Sequence, residues 1–421
     1  MRGRFVVDAD KSVSHRALLI GALARGATRI SNLLDSEDCR ATRRAIRQLG
    51  VGVRETGDET IVSGRGLRGL APAAGEIDCG NSGTTMRLLA GVLAGQPFES
   101  TLTGDVSLSR RPMDRIILPL REMGARITGS EDSRPPIHIS GGDLTGKSHS
   151  LPIASAQVKS CLLLAGLLAS GSTSVSEPAA SRDHTERMLG YFGVDVETDG
   201  NRHTVRGDDQ PLGREVTVPA DISSAAFFIV AALLLDGSDA ILPSVGTNPT
   251  RSGALEVLRA MGGQIRLLDE RLLGPEPVAD VQAGRSRLEG ALIRGEIVPR
   301  LIDEIPIIAV AATQASGKTT IADASELRVK ESDRIAAIVA ELGKMGARID
   351  PRPDGMVVDG PTRLRGARVD SHGDHRIAMA LAIAGSLADG KTTISGAECI
   401  RISFPGFVRL LPRFAMVDVD E

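Results

Sequence analysis

Residues 18–30 read LLIGALARGATRI, and five later stretches repeat the phrase: LLAGVLAGQPFESTLT (88–103), LLLAGLLASGSTSV (162–175), FIVAALLLDGSDAI (228–241), IIAVAATQASGKTTI (307–321) and LAIAGSLADGKTTI (381–394). Each is an apolar run of helical character, then a glycine, then a short stretch of strand character. The glycines Gly26, Gly95, Gly171, Gly237, Gly317 and Gly390 lie 69, 76, 66, 80 and 73 residues apart. A second phrase interleaves with the first: IRQLGVGV at Gly50, LREMGARI at Gly124, LGYFGVDV at Gly193, LRAMGGQI at Gly262 and LGKMGARI at Gly346. Such self-similarity signals one supersecondary unit used repeatedly, here of about 70 residues with two helix-to-strand junctions.

A glycine that follows an amphipathic run is the expected helix stop, because it takes the left-handed conformation without a Cβ clash. The β-branched stretches after it, such as Thr28-Arg29-Ile30 and Thr319-Thr320-Ile321, suit half-buried strands. The unit therefore reads strand–helix–strand–helix–strand, with a further strand in most copies. A chain of 421 residues is too long for one ordinary core. The expected fold is α/β (α+β), with two globular domains of three units each. A solenoid is the alternative, but the spacings vary by as many as 14 residues and the period exceeds the usual solenoid repeat.

Composition excludes several function classes. Apolar residues make up 42% and charged residues 24%, with a net charge of −3, which argues against disorder and against a polybasic nucleic-acid binder. There is no Trp and one Tyr, so aromatic platforms for single-stranded nucleic acid are missing. Cys39, Cys79, Cys161 and Cys399 follow no metal-ligand spacing and read as reduced, buried, cytosolic residues. No signal peptide precedes Lys11, and the longest apolar run, Ala225 to Leu235, is far short of a bilayer span, so no membrane role is expected. Two stretches, Gly141–Ser148 and Gly385–Thr392, match the phosphate-loop pattern G-x-x-x-x-G-K-S/T. That pattern needs a strand before the loop and a helix opening at the lysine. At Gly390 the order is reversed, and no helix opens at Lys147.

Cations sit in segments otherwise rich in small, helix-starting residues. Asp10-Lys11-Ser12-Val13-Ser14-His15-Arg16 and Gly80-Asn81-Ser82-Gly83-Thr84-Thr85-Met86-Arg87 each precede an apolar helix. Free N–H groups and partial positive charge at such starts suit anions. Similar small polar starts recur at Ala154–Gln157 and Asp221–Ser224. The segment Leu327–Arg334 is denser in charge. If it is helical, Lys330 and Arg334 lie at i and i+4, with Glu331 beside Arg334. Taken alone it reads as a salt-bridged solvent face, and Gly373-Asp374-His375-Arg376 as a capped turn.

These motifs resemble the 3-phosphoshikimate 1-carboxyvinyltransferases, or 5-enolpyruvylshikimate-3-phosphate synthases. The resemblance rests on DKSVSHRALL (10–19), GNSGTTMRLLAG (80–91), SRRPMDRI (109–116), SAQVKSCLLLAGLL (155–168), SRDHTERML (181–189), DEIPIIAVAA (303–312), LRVKESDRI (327–335) and GDHRIAMALAI (373–383), in family order along essentially the whole chain. Several segments lean towards the family's second sequence class. The resemblance implies two domains of three βαβαββ units, residues 10–219 and residues 1–9 with 220–421, with the active site in the interdomain cleft. It implies transfer of the carboxyvinyl group of phosphoenolpyruvate to the 5-hydroxyl of shikimate 3-phosphate, in the shikimate pathway of aromatic amino acid biosynthesis. No metal or organic cofactor is implied, and a cytoplasmic monomer is expected.

By the same resemblance, Lys11, Asn81, Gly83, Arg111, Gln157, Arg334 and Arg376 surround phosphoenolpyruvate. Lys11, Ser12, Arg16, Ser155, Ala156, Gln157, Arg182, Asp303 and Lys330 surround shikimate 3-phosphate. Asp303 fits the base for the 5-hydroxyl, with Lys11 near the same oxygen, and Glu331 fits the proton donor to the methylene carbon. Without the resemblance both carboxylates read as caps or ion pairs. Gly83 leaves room for glyphosate, which competes with phosphoenolpyruvate in the family when this position is glycine. The chain departs from the pattern at Asp8-Ala9 (commonly Pro-Gly), at Ala156 (often serine) and at Ile402 (often lysine), and its N-terminus is short. UDP-N-acetylglucosamine enolpyruvyltransferase is the nearest rival, but that family carries a cysteine in the loop that here reads Gly104-Asp105-Val106-Ser107-Leu108-Ser109-Arg110-Arg111. A non-catalytic protein retaining the fold is the other; intact Asp303, Glu331, Lys11 and Arg376 argue against it.

Overall fold

The computed structural model describes residues 1–417, and in it the second glycine phrase ends a helix five times in one way. The helix Glu37–Gln48 is capped by Leu49, and Gly50 follows at φ +81°. The Gly50 N–H donates to the Arg47 carbonyl at 3.0 Å, and the Val51 N–H to the Ile46 carbonyl at 3.1 Å. This is the Schellman arrangement, which satisfies the last carbonyls of a helix and requires a left-handed residue. The same pair of bonds recurs at Gly124, Gly193, Gly262 and Gly346.

The first phrase differs from expectation. The helix Lys11–Leu23 ends at an extended Ala24, and Gly26 lies two residues further on, inside the strand Arg25–Ser31, at φ +91°. Gly26 needs glycine for its positive φ, since a Cβ there would meet nothing, and the close backbone approach falls on its ladder partner. Gly26 pairs across the ladder with Gly64, whose Cβ would stand 2.2 Å from the Ala24 carbonyl oxygen. Gly141, Gly207 and Gly360 make equivalent approaches in later repeats. Gly95 is the exception, with φ −98°; an added Cβ would lie 2.4 Å from the Leu168 Cβ, so packing requires it.

Each of the first five repeats lays down a four-stranded sheet of one topology, a parallel edge pair followed by two antiparallel ladders. In the first the order is Glu215–Thr217, Arg25–Ser31, Glu59–Arg65, Gly52–Thr56. In the fourth it is Arg2–Arg4, Asp239–Gly246, Glu276–Gly284, Gln264–Leu273. The edge strands of these two sheets thus come from distant parts of the chain. The sixth repeat keeps only the parallel pair Arg368–Asp370 with Thr393–Ser395, then runs into the 3-10 turns of Ala397–Ile402.

The chain divides into two compact units. One comprises Ala9–Val218 with Leu273–Glu276; the other comprises Met1–Asp8, Pro219–Leu272 and residues 277 to the end of the described chain. The sequence reading had placed 273–276 with the rest of 220–421. These four residues instead belong with the first unit, where Glu276 meets His184 Nδ1 at 2.8 Å.

Each unit has its own core. In the first, the helices Lys11–Leu23, Gly83–Ala94 and Ala156–Gly166 all contribute to it, and Gly91 lets the last two approach so closely that a Cβ would stand 2.2 Å from the Cys161 carbonyl oxygen. In the second, Ile222–Leu234, Ile305–Gln314 and His375–Leu387 pack on one another, and every residue of Ile222–Leu234 is buried. Helices apolar on all sides must be enclosed. Among the described residues, none is long and apolar enough to cross a membrane.

Replacing Gly95 by alanine should destabilise the protein by about 1–3 kcal/mol through overpacking against Leu168. In a double-mutant cycle read by chemical denaturation, Leu168→Ala should recover part of that loss. Strictly additive losses would show that this contact is not the cause.

Candidate active site

In the first unit most of the predicted residues lie at the starts of its three buried helices; Arg111 follows the 3-10 turn Leu108–Arg110, and Arg182 precedes the helix His184–Tyr191. Asp10 caps the helix Lys11–Leu23 by accepting from the Val13 N–H at 2.9 Å, and Lys11 Nζ reaches Asp38 Oδ2 at 3.1 Å. Arg16, one turn on, is buried and fully engaged: Nε donates to Thr185 Oγ1 at 2.7 Å, Nη1 to the Ser12 carbonyl at 3.0 Å and Nη2 to Ser160 Oγ at 2.8 Å. Burial pushes its pKa down to about 10; Glu186 opposes this and the neighbouring Arg182 adds to it. Two guanidinium groups in repulsion around a buried position favour an anion.

The second helix start gathers Asn81, Gly83, Arg111 and Gln157. Arg111 Nη2 donates to Asn81 Oδ1 at 2.9 Å, and Asn81 Nδ2 to Asp105 Oδ2 at 2.7 Å. Gln157 takes a hydrogen bond from Arg87 Nη1 at 2.8 Å and gives one to Thr84 Oγ1 at 2.9 Å. A Cβ on Gly83 would meet Arg87 Nη1 at 2.8 Å and Arg111 Nη1 at 3.3 Å. Arg87 was therefore missed as a site candidate, although it ends the Gly80–Arg87 segment. One helical turn beyond Gly83 carries it back to the same spot.

Ser155 caps the third helix, with Ala156 and Gln157 in its first turn. Its own N–H donates to Glu177 Oε1 at 2.8 Å, and Ser181 Oγ donates to Glu177 Oε2 at 2.7 Å. Lys159, buried, stands 2.8 Å from Glu177 and 2.7 Å from Glu186. Burial works against its charge, but Glu186 and Glu177 outweigh it and its pKa is raised. Glu177 thus ties the Ser155 segment to the Ser181-Arg182 segment. Neither Glu177 nor Lys159 was singled out from the sequence, since the partners are distant in sequence.

In the second unit Asp303, Glu331, Lys330, Arg334 and Arg376 come together around one side chain. Arg334 is 1% exposed; its Nη1 lies 3.0 Å from Asp303 Oδ1, Nη2 2.6 Å from Glu331 Oε2 and Nε 2.8 Å from Asp374 Oδ2. Burial opposes its charge, yet Asp374, Glu331 and Asp303 outweigh it and its pKa is raised. Arg376 Nη1 donates to the Asp303 carbonyl at 3.0 Å, and Lys330 Nζ stands 3.9 Å from Asp303 Oδ1. Asp303 and Glu331 keep 12% and 24% of their side-chain surfaces accessible, above an arginine that is sealed.

The structure decides two readings that the sequence left open. Residues 327–334 are not one helix. A 3-10 turn, Ser325–Val329, gives way to an extended Lys330, and a new helix starts at Arg334 with Asp333 as its cap. Lys330 accordingly pairs with Glu326 at 3.1 Å. Nor do the helix starts leave all their N–H groups to an anion. Asp10, Ser82, Ser155, Asp221 and Asp374 each accept from one with their own side chains. Asp374 is a cap, as read from the sequence, and an ion-pair partner as well. At the departures from the family pattern, Asp8 Oδ2 accepts from the Gly406 N–H at 2.7 Å, and Ile402 packs half-buried against the core.

With this geometry in view, comparison defines the class. The chain matches the family described as EPSP synthase (3-phosphoshikimate 1-carboxyvinyltransferase) over residues 1–411 and belongs to it. It is 51% identical over 416 residues to the 3-phosphoshikimate 1-carboxyvinyltransferase of Brevibacillus brevis, covering 99% of this chain and 98% of that one. To the enzyme of the same name from Pelotomaculum thermopropionicum it is 54% identical over 421 residues, covering 99% and 97%. A solved structure of EPSP synthase from Acinetobacter baumannii aligns with TM-score 0.89 at 46% identity, over 98% of this chain and 96% of that one.

Asp374 is a carboxylate that burial pushes up and Arg334 pulls down further, so its pKa is lowered on balance. Its contribution to stability is complete above about pH 4 and is lost on acidification below that. Asp374→Asn should cost about 3–5 kcal/mol at neutral pH, since it leaves part of a buried charge unpaired. It should also flatten the acid limb of the stability curve. An unchanged acid limb in urea titrations would refute the assignment.

Proposed function

We propose that this chain transfers the carboxyvinyl group of phosphoenolpyruvate to the 5-hydroxyl of shikimate 3-phosphate, releasing phosphate, and that it does so as a cytoplasmic monomer. The observation that carries the reading is Arg334, which binds two carboxylates, Asp303 and Glu331, that keep 12% and 24% of their side-chain surfaces accessible. Asp303 takes the proton of the 5-hydroxyl, with Lys11 assisting at the same oxygen. Glu331 protonates the methylene carbon, which makes the adjacent carbon electrophilic. The oxygen adds there, giving a tetrahedral intermediate. Phosphate then leaves as the added proton is withdrawn from the methyl group, which regenerates the double bond.

Each substrate carries a phosphate and a carboxylate, so cations must offset roughly five to six negative charges. Arg16, Arg182, Ser12, Ser155, Ala156, Gln157 and Lys330 take shikimate 3-phosphate; the like-charge pressure of Arg182 on Arg16 supports an anion there. Lys11, Asn81, Gly83, Arg111, Gln157, Arg334 and Arg376 take phosphoenolpyruvate, with Arg87 added to them by its contact with Gln157.

Glu331→Gln and Asp303→Asn should each lower turnover by roughly 10²- to 10⁴-fold, the range for a positioned acid or base. Affinity for shikimate 3-phosphate should change less in the Glu331 variant. A coupled phosphate-release assay with both substrates checks this, and near-native turnover in either variant would remove its role.

Gly83→Ala should act through the guanidinium groups of Arg87 and Arg111, which the methyl must displace. Glyphosate inhibition should weaken by roughly 5- to 150-fold at fixed phosphoenolpyruvate, the effect of an intruding methyl on a packed ligand. The KM for phosphoenolpyruvate should rise as well. Inhibition curves no different from wild type would place the donor subsite elsewhere.

A further inference from the structure

Four fully buried polar side chains in the first unit form an unbroken series that the reaction does not use. His15 Nδ1 lies 2.7 Å from Thr42 Oγ1, Thr42 Oγ1 lies 2.6 Å from Thr85 Oγ1, and Thr85 Oγ1 donates to Ser82 Oγ at 2.8 Å. Ser82 in turn caps the helix Gly83–Ala94 by accepting from the Thr85 N–H at 3.1 Å. The series joins three helices. His15 is on Lys11–Leu23, Thr42 on Glu37–Gln48, and Thr85 on Gly83–Ala94.

Proton accounting fixes its direction. A hydroxyl has one proton. Thr85 gives its proton to Ser82, so it must accept from Thr42. Thr42 has then spent its own and must accept from His15. His15 Nδ1 therefore carries hydrogen and Nε2 does not. The surroundings agree, since Nε2 is buried with no hydrogen-bond partner, a cost that a bare acceptor bears better than an N–H or a charge. Lys11 and Arg16, on the same helix, further disfavour an imidazolium.

We propose that His15, Thr42, Thr85 and Ser82 form a one-way hydrogen-bond relay, with His15 fixed as its neutral Nδ1–H terminus, that holds the helix start bearing Gly83 in register with the one bearing Lys11. The helix Glu37–Gln48 is the coupler. Its first turn receives Lys11 at Asp38, and its second, at Thr42, joins His15 to Thr85. The relay residues are positioning residues, and their role rests on the function proposed above.

Two measurements test the proposal. Long-range proton–nitrogen correlation on the wild-type protein, labelled with ¹⁵N-histidine, should show His15 neutral with hydrogen on Nδ1 at pH 7. A Nε2–H tautomer or an imidazolium would overturn the relay's direction. This readout needs no activity, so it stands even if the reaction assigned above fails. Thr42→Val keeps the side-chain volume and removes the hydroxyl. It should raise the KM for phosphoenolpyruvate about 3- to 10-fold, as expected for one lost hydrogen bond, with turnover within about twofold. Thr42→Ser should restore the wild-type KM. An unchanged KM in Thr42→Val, or an equal loss in turnover and both KM values that serine does not rescue, would overturn the positioning role.

Discussion

A helix with no polar face has to be enclosed on all sides, and the whole architecture answers that requirement. Ile222–Leu234 cannot be solvated along any stripe, nor can Ile305–Gln314. Each packs against its fellow helices and against a strand of a small sheet. Sideways burial leaves such a helix only its ends to meet water or a ligand. Lys11, Gly83, Gln157 and Arg376 accordingly all lie within three residues of a cap.

The caps at those first turns change how the electrostatics work. Carboxylates and hydroxyls of the chain itself already occupy N–H groups that a ligand anion would otherwise take. The side-chain cations nearby are restrained in turn by further carboxylates. Arg334 illustrates the balance. Its charge is sealed among Asp374, Asp303 and Glu331, so it serves more to fix two accessible carboxylates than to attract an anion unaided. Arg16 is held by neutral hydroxyls and a carbonyl, which leaves its charge uncompensated by direct contact and better able to bind one.

Much of the fold was legible because one pattern is written repeatedly. The glycine of the second phrase stops a helix at Gly50 for reasons local to six residues, so sequence spacing was enough. The first phrase misled because Gly26 lies inside the strand that follows the helix, where its φ of +91° needs glycine, while the close approach falls on its ladder partner Gly64, 38 residues away. The site divides in the same way. Lys11, Gln157 and Asp303 sit in long motifs and were named from them. Arg87, Glu177 and Lys159 act through contacts across the unit, which no local pattern encodes. In LRVKESDR the sequence left helix only a conditional reading, because charge spacing at i and i+4 is indifferent to whether backbone bonds continue. Asp333, a cap in its midst, was the available sign that they do not.

The borrowed edge strands also bear on how the protein is made. The strand Arg2–Arg4 belongs to a sheet whose next member begins at Asp239, and the amino group of Met1 reaches Ser238, 237 positions along the chain. A ribosome adding about 5–20 residues per second releases that strand well before its partner exists. Ala9–Val218, by contrast, holds nearly all its own strands and can close once Glu215–Thr217 has emerged. Synthesis order therefore imposes a folding order. One unit matures first, while the strand Arg2–Arg4 waits unpaired, its two arginines keeping an open edge from finding the wrong neighbour.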